Sequence, residues 1–437
     1  MNTNNFIQKG RAFMENILKI AIIGLGNRGR ETYGAALSLL PEKAKIVALA
    51  EILPERLAQA SQEFGVPQEM CFESAEEFLN YPKMADAVLV CTQDQQHVAH
   101  AIPSLELGYD VLLEKPISPS AEECRALLET AHRTGRKVIV CHVLRYSPFY
   151  RKIKEILDSG ILGELRTIQA IENVCYWHQA HSFVRGNWRN SGTTSPMILA
   201  KCCHDMDLMV WLTGKRCERV SSFGSLSHFK PEGAPVGAAK RCMDGCLAKD
   251  KCPYDAEKIY INHSKIGIAN GNIDWPVCVL DINPTMDSIY EAIKTGPYGR
   301  CVYHCDNDVV DHQVVNMEME NGLTINFTMT GFTAGSGRYS VYMGTHGSMV
   351  ADMSKNTISV TPFGEQTEVI DFNLTGRDGH GGGDSVLIEE FLEELQNPGH
   401  LDSITSIDAS MESHFIAFAA EESRLAGGKC IEMDGIR

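Results

Sequence analysis

Gly24-Leu25-Gly26-Asn27-Arg28-Gly29 is a G-x-G-x-x-G run set between an apolar stretch of strand length and a segment of helical period. The first glycine permits a tight turn, the second lets backbone approach a pyrophosphate, and the third lets helix and strand pack closely. Phosphates would rest on the helix N-terminus, where free N–H groups and the dipole favour an anion. Glu51 lies twenty-two residues beyond Gly29, the spacing of a carboxylate that accepts a ribose hydroxyl. A tight strand–helix turn and a solvated glutamate are the plainer alternative. A carboxylate there repels a 2′-phosphate, so the pattern favours NAD over NADP, although Arg56 could soften that preference.

A second constellation is Glu114-Lys115-Pro116, which closes a short apolar run at 111–113. A lysine at the carboxyl end of a parallel strand points into the crevice where such sheets bind ligands. Proline fixes the backbone behind it. Further along, Lys201-Cys202-Cys203-His204-Asp205-Met206-Asp207 sets a histidine at the head of a helical segment. Pairing with Asp207 is the alternative reading of His204. Gly379-His380-Gly381-Gly382-Gly383-Asp384 serves no core, and its glycines allow close approach to a ligand, so His380 is assigned to a substrate pocket. His312 could face pocket or core. Cys242, Cys246 and Cys252 form C-x3-C-x5-C, and Cys301, His304 and Cys305 form a second cluster. Three or four of these could fold a structural zinc site; an iron–sulfur cluster fits the spacing less well, and free or buried thiols are the alternative.

The elements that must position these groups alternate over the first 142 residues. Apolar runs at 17–23, 45–50, 85–91, 111–113 and 137–141 are separated by helical periods at 28–40, 54–64, 96–107 and 121–133. That alternation predicts a doubly wound α/β (Rossmann) domain over 1–142, a parallel sheet with helices on both faces. From 143 to 437 the pattern changes. Long alternating runs at 165–174, 309–319, 323–330, 339–344 and 357–360, with helices at 148–157, 203–212, 384–395 and 406–426, predict an α+β domain with a large, mostly antiparallel open sheet. Residues 231–275 form an irregular, cysteine-containing insertion, and 1–13 are expected to be a frayed extension.

At about 150 residues per domain, 437 residues allow two or three domains. With 44% hydrophobic and 22% charged residues, the composition is that of an ordinary globular protein. A net charge of −16 makes nucleic acid or an anionic membrane surface a poor partner. No apolar run reaches the roughly 18 residues a membrane span needs. Fifteen cysteines, an odd count, and no signal-peptide pattern point to a reducing cytoplasm.

Taken together, the G-L-G-N-R-G loop, Glu51, Thr92 with His97, E-K-P, Arg145 with Pro148, and His204 with Asp207 resemble the Gfo/Idh/MocA family, the glucose–fructose oxidoreductase and inositol dehydrogenase group. The marks run through the first half of the chain, and the strands of the second half are compatible to the end. The resemblance implies a nicotinamide cofactor and a sugar or polyol substrate. It places Gly24, Gly26, Asn27, Arg28, Gly29, Glu51, Thr92, His97, Glu114 and Lys115 on the cofactor. It also makes Lys115 the contact to the reacting hydroxyl and His204 the proton acceptor. The chemistry agrees, because hydride leaves a carbinol carbon more easily when a base takes the hydroxyl proton and a cation steadies the alkoxide. Many members carry aspartate four residues before that histidine; here Ala200 stands there, followed by Lys201. Lys201 could lower neighbouring pKa values, bind a substrate oxygen, or reach solvent. Arg145 and Tyr146 could grip sugar hydroxyls or close the domain interface. Trp188 could stack on a sugar or pack in the core, and Asp207 is counted with the substrate groups.

Three functions follow from the resemblance. The first is an NAD-dependent dehydrogenase acting on a secondary hydroxyl of a sugar or polyol. The second is a redox-neutral glycoside hydrolase that oxidises transiently, eliminates and adds water. The third is a non-catalytic sugar-binding protein. A homodimer or homotetramer through the open sheet is expected by analogy.

Overall fold

The computed structural model describes residues 17–372, 379–397 and 403–437, so the proposed frayed extension at 1–13 lies outside the described residues. Six parallel strands form the first sheet: β1 (Leu18–Ile23), β2 (Ala44–Ala50), β3 (Cys71–Phe72), β4 (Ala87–Val90), β5 (Asp110–Leu113) and β6 (Val138–Val140). Their order is β3-β2-β1-β4-β5-β6, reversing direction between β1 and β4. β3 escapes the sequence pattern because it is two residues long. The helix Pro54–Phe64 begins with proline in its first turn and ends at Gly65, whose φ of 65° is left-handed. The helix Ala121–Thr134 is capped by Ser120, which accepts from the Glu123 N–H, and buries Cys124, Leu127 and Ala131. Where a plain α-helix was expected at 28–40, the chain makes a π-helical stretch, Asn27–Gly34, before the short α-helix Ala35–Ser38.

The second sheet has nine strands: β7 (Leu165–Asn173), β8 (Cys217–Ser225), β9 (His312–Met319), β10 (Leu323–Thr330), β11 (Gly337–Gly344), β12 (Gly347–Asp352), β13 (Thr357–Pro362), β14 (Glu368–Asp371) and β15 (Ile431–Glu432). The order is β14-β13-β12-β11-β7-β10-β9-β8-β15, and every pair but β7–β10 is antiparallel. Leu323, Ile325, Phe327 and Met329 of β10 alternate inward, with Thr324 and Asn326 outward, the period of a sheet buried on one face. The helices Cys203–Thr213 and Ile407–Leu425 join that inner face in one hydrophobic core.

Two late segments return to the first sheet. The helix Gly383–Gln396 packs Leu387, Ile388, Phe391 and Leu392 into the cluster of Ile20, Ile22 and Leu49. Thr405 receives the Val140 N–H, which extends β6 toward the last helix. Hence the cleft between the sheets is framed partly by residues near the end of the chain.

The irregular region is longer than 231–275 and has its own core. It contains the helix Met286–Thr295, capped by Thr285 and Ser288. Ile259, Tyr260, Ile289, Ile293, Tyr298 and Val302 form a separate cluster with Ala180 and Val184 of the π-helical segment Gln179–Arg185. Replacing fully buried Ile293 by alanine should cost about 2–5 kcal/mol. Limited proteolysis should then cut the variant first within 231–300; first cuts in the Rossmann sheet would show that this cluster is not an independent unit.

Candidate active site

Gly24 has φ +88°, and a Cβ there would lie 2.7 Å from the Cys91 carbonyl oxygen. At Gly29 a Cβ would lie 1.9 Å from the Gly24 carbonyl oxygen, so this glycine is what closes the turn onto the helix. Gly26 differs. Its missing Cβ would meet only the Arg56 guanidinium, at 3.8 Å, and the first helical N–H groups follow it. The cradle a side chain would fill is open, as a pyrophosphate requires. Glu51 is buried at the end of β2, with Oε2 accepting from the Leu25 N–H at 2.7 Å and Oε1 from the Leu53 N–H at 3.0 Å. It therefore fixes the glycine loop, with the remaining lone pairs of the same oxygens left for a ribose hydroxyl.

Arg28, second residue of the helix, turns inward. Its Nε reaches Glu114 Oε1 at 2.7 Å and Nη2 reaches Asp384 Oδ1 at 2.6 Å, with Tyr33 Oη also in hydrogen-bond contact. Burial opposes ionisation of Glu114, but Arg28 and then Lys115 outweigh it and hold that carboxyl below its usual range. Glu114 also accepts from the Lys115 N–H at 3.0 Å and from Tyr33 Oη at 2.7 Å. Behind this corner His97 bridges two carbonyls, Pro116 O at 2.6 Å and Thr92 O at 3.0 Å, while Thr92 Oγ1 meets His100 Nδ1 at 3.1 Å. His97 and Thr92 thus support the E-K-P turn.

A cleft of about 690 Å³ opens over these groups. Asn27, Arg28, Lys115, Trp188, Lys201, His380 and Asp384 from the sequence reading line it. Lys115 Nζ donates one hydrogen bond, to the Ala200 carbonyl at 2.9 Å. Lys201 is paired with Glu172 at 3.3 Å; Glu172 and Asp205 in turn both meet Arg338, at 3.1 and 2.7 Å. Lys201 therefore ends in a buried charge network at the cleft wall, with burial raising the Asp205 carboxyl. Trp188 is pinned from below, its indole N–H donating to Asp94 Oδ1 at 3.0 Å.

His204 heads the helix Cys203–Thr213, 3% exposed, its ring 5.5 Å from that of His380. Burial first, then Lys115 and His380, push its pKa well below the usual histidine range. Its Nδ1 is buried without a hydrogen-bond partner among the described residues. The result is a neutral imidazole able to accept a proton.

Three residues assigned to substrate lie behind the cleft wall. Arg145 grips Asp207 with Nε at 2.7 Å and Nη2 at 2.5 Å, and spends its remaining donors on the Ile404 and Ala409 carbonyls. Tyr146 Oη bonds Thr405 at 2.8 Å and Ser403 at 3.3 Å. Asp207 also has His142 Nδ1 at 2.7 Å, so its partners are Arg145 and His142, with His204 elsewhere. Arg145 and Tyr146 thus spend their polar groups on residues 207 and 403–409, and neither is among the residues lining the cleft. His312 is half-exposed against Asp311 and faces neither pocket nor core.

Among the described residues no group of three or more Cys, His, Asp or Glu side chains is arranged to hold a metal ion, so the zinc expectation is corrected. Cys242, Cys246, Cys252 and Cys301 do line one small cavity, but the buried Arg185 guanidinium shares it and reaches Cys242 Sγ at 3.5 Å. A fixed cation there disfavours a dication. His304 is exposed, and Cys305 Sγ donates to the Cys301 carbonyl at 3.3 Å.

Several lining residues carried no sequence signal. His178, Ser182 and Phe183 come from an irregular segment, and Asp274 and Trp275 come from the insertion. Trp275 packs edge-on to His178 at 4.9 Å and to His181 at 5.3 Å, so the insertion roofs the cleft. Cys278 Sγ, 3.5 Å from Glu31 Oε2, carries that roof to the cofactor helix.

The fold and this cleft define a two-domain nicotinamide-dependent oxidoreductase. Residues 18–142 match the oxidoreductase family with an NAD-binding Rossmann fold, and 150–246 match the GFO/IDH/MocA C-terminal domain. The chain belongs to the Gfo/Idh/MocA family and is an NAD-binding oxidoreductase of that family. It is 26% identical over 367 residues to YteT of Bacillus subtilis, a protein provisionally named an oxidoreductase, covering 80% of this chain and 82% of that one. It is also 26% identical over 230 residues to an inositol 2-dehydrogenase of Corynebacterium glutamicum, covering 49% of this chain and 61% of that one. An NAD+-complexed inositol dehydrogenase homologue from Azotobacter vinelandii superposes with a TM-score of 0.68 at 17% identity, over 96% of this chain and 98% of that one, a likeness of fold. Among the described residues, no helix is long and apolar enough to cross a membrane.

If Arg145 serves the interface, R145A should cost about 3–5 kcal/mol in stability, because it strands the buried Asp207 charge. The Asp207 carboxyl is held down at about 2 against an ordinary 3.8; burial alone would raise it, but Arg145 and His142 prevail. Its contribution is therefore present above pH 4 and lost as pH falls toward 2. A melting point unchanged by R145A at pH 7 would return this arginine to the substrate. G29A should fold poorly or lose NAD affinity at least tenfold by calorimetry.

Proposed function

We propose that this oxidoreductase moves hydride between a secondary hydroxyl of a sugar or polyol and NAD, with His204 as proton acceptor and Lys115 as its electrostatic partner. The observation that carries the reading is the Lys115 ammonium in a cleft beside the open Gly26 cradle, with the buried His204 ring behind its wall, 5.5 Å from the lining His380. The inositol dehydrogenase names among the relatives favour a polyhydroxylated substrate. Gly26 and the helix after it would hold the pyrophosphate, and Glu51 a ribose. When bound, NAD supplies the hydride acceptor. His204 accepts the hydroxyl proton at an imidazole nitrogen. Lys115, oriented by its bond to Ala200 O, presents its other N–H groups to the oxygen on which charge develops. Phe183, Trp188 and Trp275 exclude water and offer rings to the apolar faces of a sugar.

A second reading, redox-neutral glycoside hydrolysis, is favoured by one observation: His380, hydrogen-bonded to Asp384, gives the cleft another imidazole. Intact Lys115 and His204 argue against a purely sugar-binding role. By the same reading the protein works in the cytoplasm, as a homodimer or homotetramer paired through its open sheet.

Two optical channels separate the reactions. Protein and NAD would meet myo-inositol, hexoses and chromogenic aryl glycosides, with reduced nicotinamide and free phenol recorded together. Accumulating reduced cofactor without phenol supports the dehydrogenase, and phenol without net reduction supports the hydrolase. H204A should lose 10²–10⁴-fold in turnover while NAD affinity changes only a few-fold; equal loss of both would remove His204 from the role of base. Because burial and Lys115 push His204 well below its usual pKa, its base form persists at neutral pH, and the acid limb of turnover should lie below the range of an ordinary histidine.

A further inference from the structure

We infer that the roof which the insertion lays over the cleft is a second carbohydrate subsite, and that the substrate is an uncharged glycoside whose second ring lies between Trp275 and the first helix. The inference rests on the proposed function only in taking the reacting unit to be a sugar or polyol held at Lys115. Arg28, Glu31, Thr32, Ala35, Ala36 and Leu39, three and four residues apart, all line the cleft, so one face of the segment 27–39 is its floor. From Arg28 to Leu39 that floor runs roughly 16 Å at 1.5 Å per residue. Lys115 stands at the Arg28 end, because its neighbour Glu114 is bonded to Arg28. A single sugar held there leaves the Leu39 end uncovered. Gly26 and Glu51, assigned to the cofactor, are not among the lining residues, so the anchored half of the dinucleotide lies off this floor.

The outer half is apolar on both sides. Below are Ala35, Ala36 and Leu39, the last 80% exposed. Above is Trp275. Of the four tryptophans, Trp188 and Trp211 pack on the main core and Trp177 on the core of the insertion, whereas Trp275 joins none of these clusters of described residues. Rings hold it instead, Trp177 at 5.0 Å and His178 at 4.9 Å, and the next two residues, Pro276 and Val277, are buried. Cys278 Sγ, against Glu31 Oε2, ties the roof to the floor. A large ring kept out of the core and fixed across from an apolar floor suits the apolar face of a second sugar ring. Residues 274–278 lie beyond 18–142 and 150–246, so the match to the family does not supply this roof.

Charge narrows the occupant. Among the described lining residues, every lysine and arginine but one already has a carboxylate partner: Arg28 has Glu114 and Asp384, and Lys201 has Glu172. The one left is Lys115, which the reacting oxygen uses. Glu31 and Asp274 add negative charge to the lining. A phosphate or carboxylate on the second ring would meet two acids and no spare cation, whereas its hydroxyls find acceptors in the same carboxylates.

The test titrates the NAD-loaded full chain by calorimetry with glucose, galactose and mannose, each as methyl glycoside, 4-nitrophenyl glycoside, disaccharide, 6-phosphate and uronate. In at least one series the disaccharide and the aryl glycoside should bind about tenfold more tightly than the methyl glycoside, and the charged forms more weakly than the neutral sugar. W275A should bring the tenfold ratio near one, and W275F should keep most of it. L39D changes an exposed side chain, should melt like the parent, and should lower the same ratio, which carries the test if W275A folds poorly. No binding of any extended glycoside, equal affinity for methyl and extended forms, a parental ratio in L39D and W275A, or tighter binding of a charged form each overturns the inference. Tight, Trp275-dependent binding with neither reduced nicotinamide nor phenol would remove the catalytic reading and leave this one standing. Turnover of free myo-inositol with no preference for extended glycosides would do the reverse.

Discussion

One guanidinium ties the cleft together. Arg28 belongs to the glycine loop, yet its side chain sits between Glu114, which orients Lys115, and Asp384, which orients His380. Those three groups come from the first helix, the end of β5 and the first turn of the helix Gly383–Gln396, 356 residues apart at the extremes. A half-buried cation between two buried carboxylates is worth its desolvation only when all three are in register. The positions of the cofactor loop, the lysine and the second histidine are therefore tied to the same ion pairs, and loss of Arg28 leaves two carboxylates without their cation. Tyr33, donating to Glu114 under the guanidinium, closes the corner.

A second corner is built the same way and kept apart from the first. Asp207 takes Arg145 and His142 beneath the cleft, while Glu172 and Asp205 share Arg338 and hold Lys201 at its wall. Lys201 would be a free ammonium in the cleft if Glu172 were absent. With Glu172 present, it becomes the fixed end of a network reaching across β7 and β11. The lysine that replaces an acid beside Ala200 thus brings its own acid from another strand.

Much of this was legible in the residues, for physical reasons that differ from case to case. The α/β alternation, the proline-initiated helix Pro54–Phe64 and the alternating faces of β9 and β10 follow from local periodicity, which the fold did not override. Gly24, Gly26, Gly29, Lys115 and His204 follow from motifs whose backbone demands are local. The cleft roof does not. Trp275 and Asp274 sit in a stretch with no period and reach the cleft because a distant cluster around Tyr260 and Ile293 carries them there. Arg145 and Tyr146 were equally compatible with ligand and interface, since polarity does not say which partner a side chain meets. The cysteine spacing suggested a metal, but the cation that shares their cavity, Arg185, lies 57 residues before Cys242 and no local pattern connects them.

The cleft also constrains where a proton can go. An imidazolium at His204 would stand in a dry site beside the Lys115 ammonium, with no carboxylate hydrogen-bonded to it among the described residues, and like charges at low dielectric repel strongly. Burial and the Lys115 ammonium thus oppose a charge at His204. His380, one ring away, has Asp384 behind it and 30% of its side chain exposed to the cleft, so positive charge costs less at that site. The difference between the two histidines is thus electrostatic before it is positional: His204 has no carboxylate hydrogen-bonded to it among the described residues, and His380 has Asp384. Arg28 limits the second effect, because one Asp384 oxygen is already committed to it.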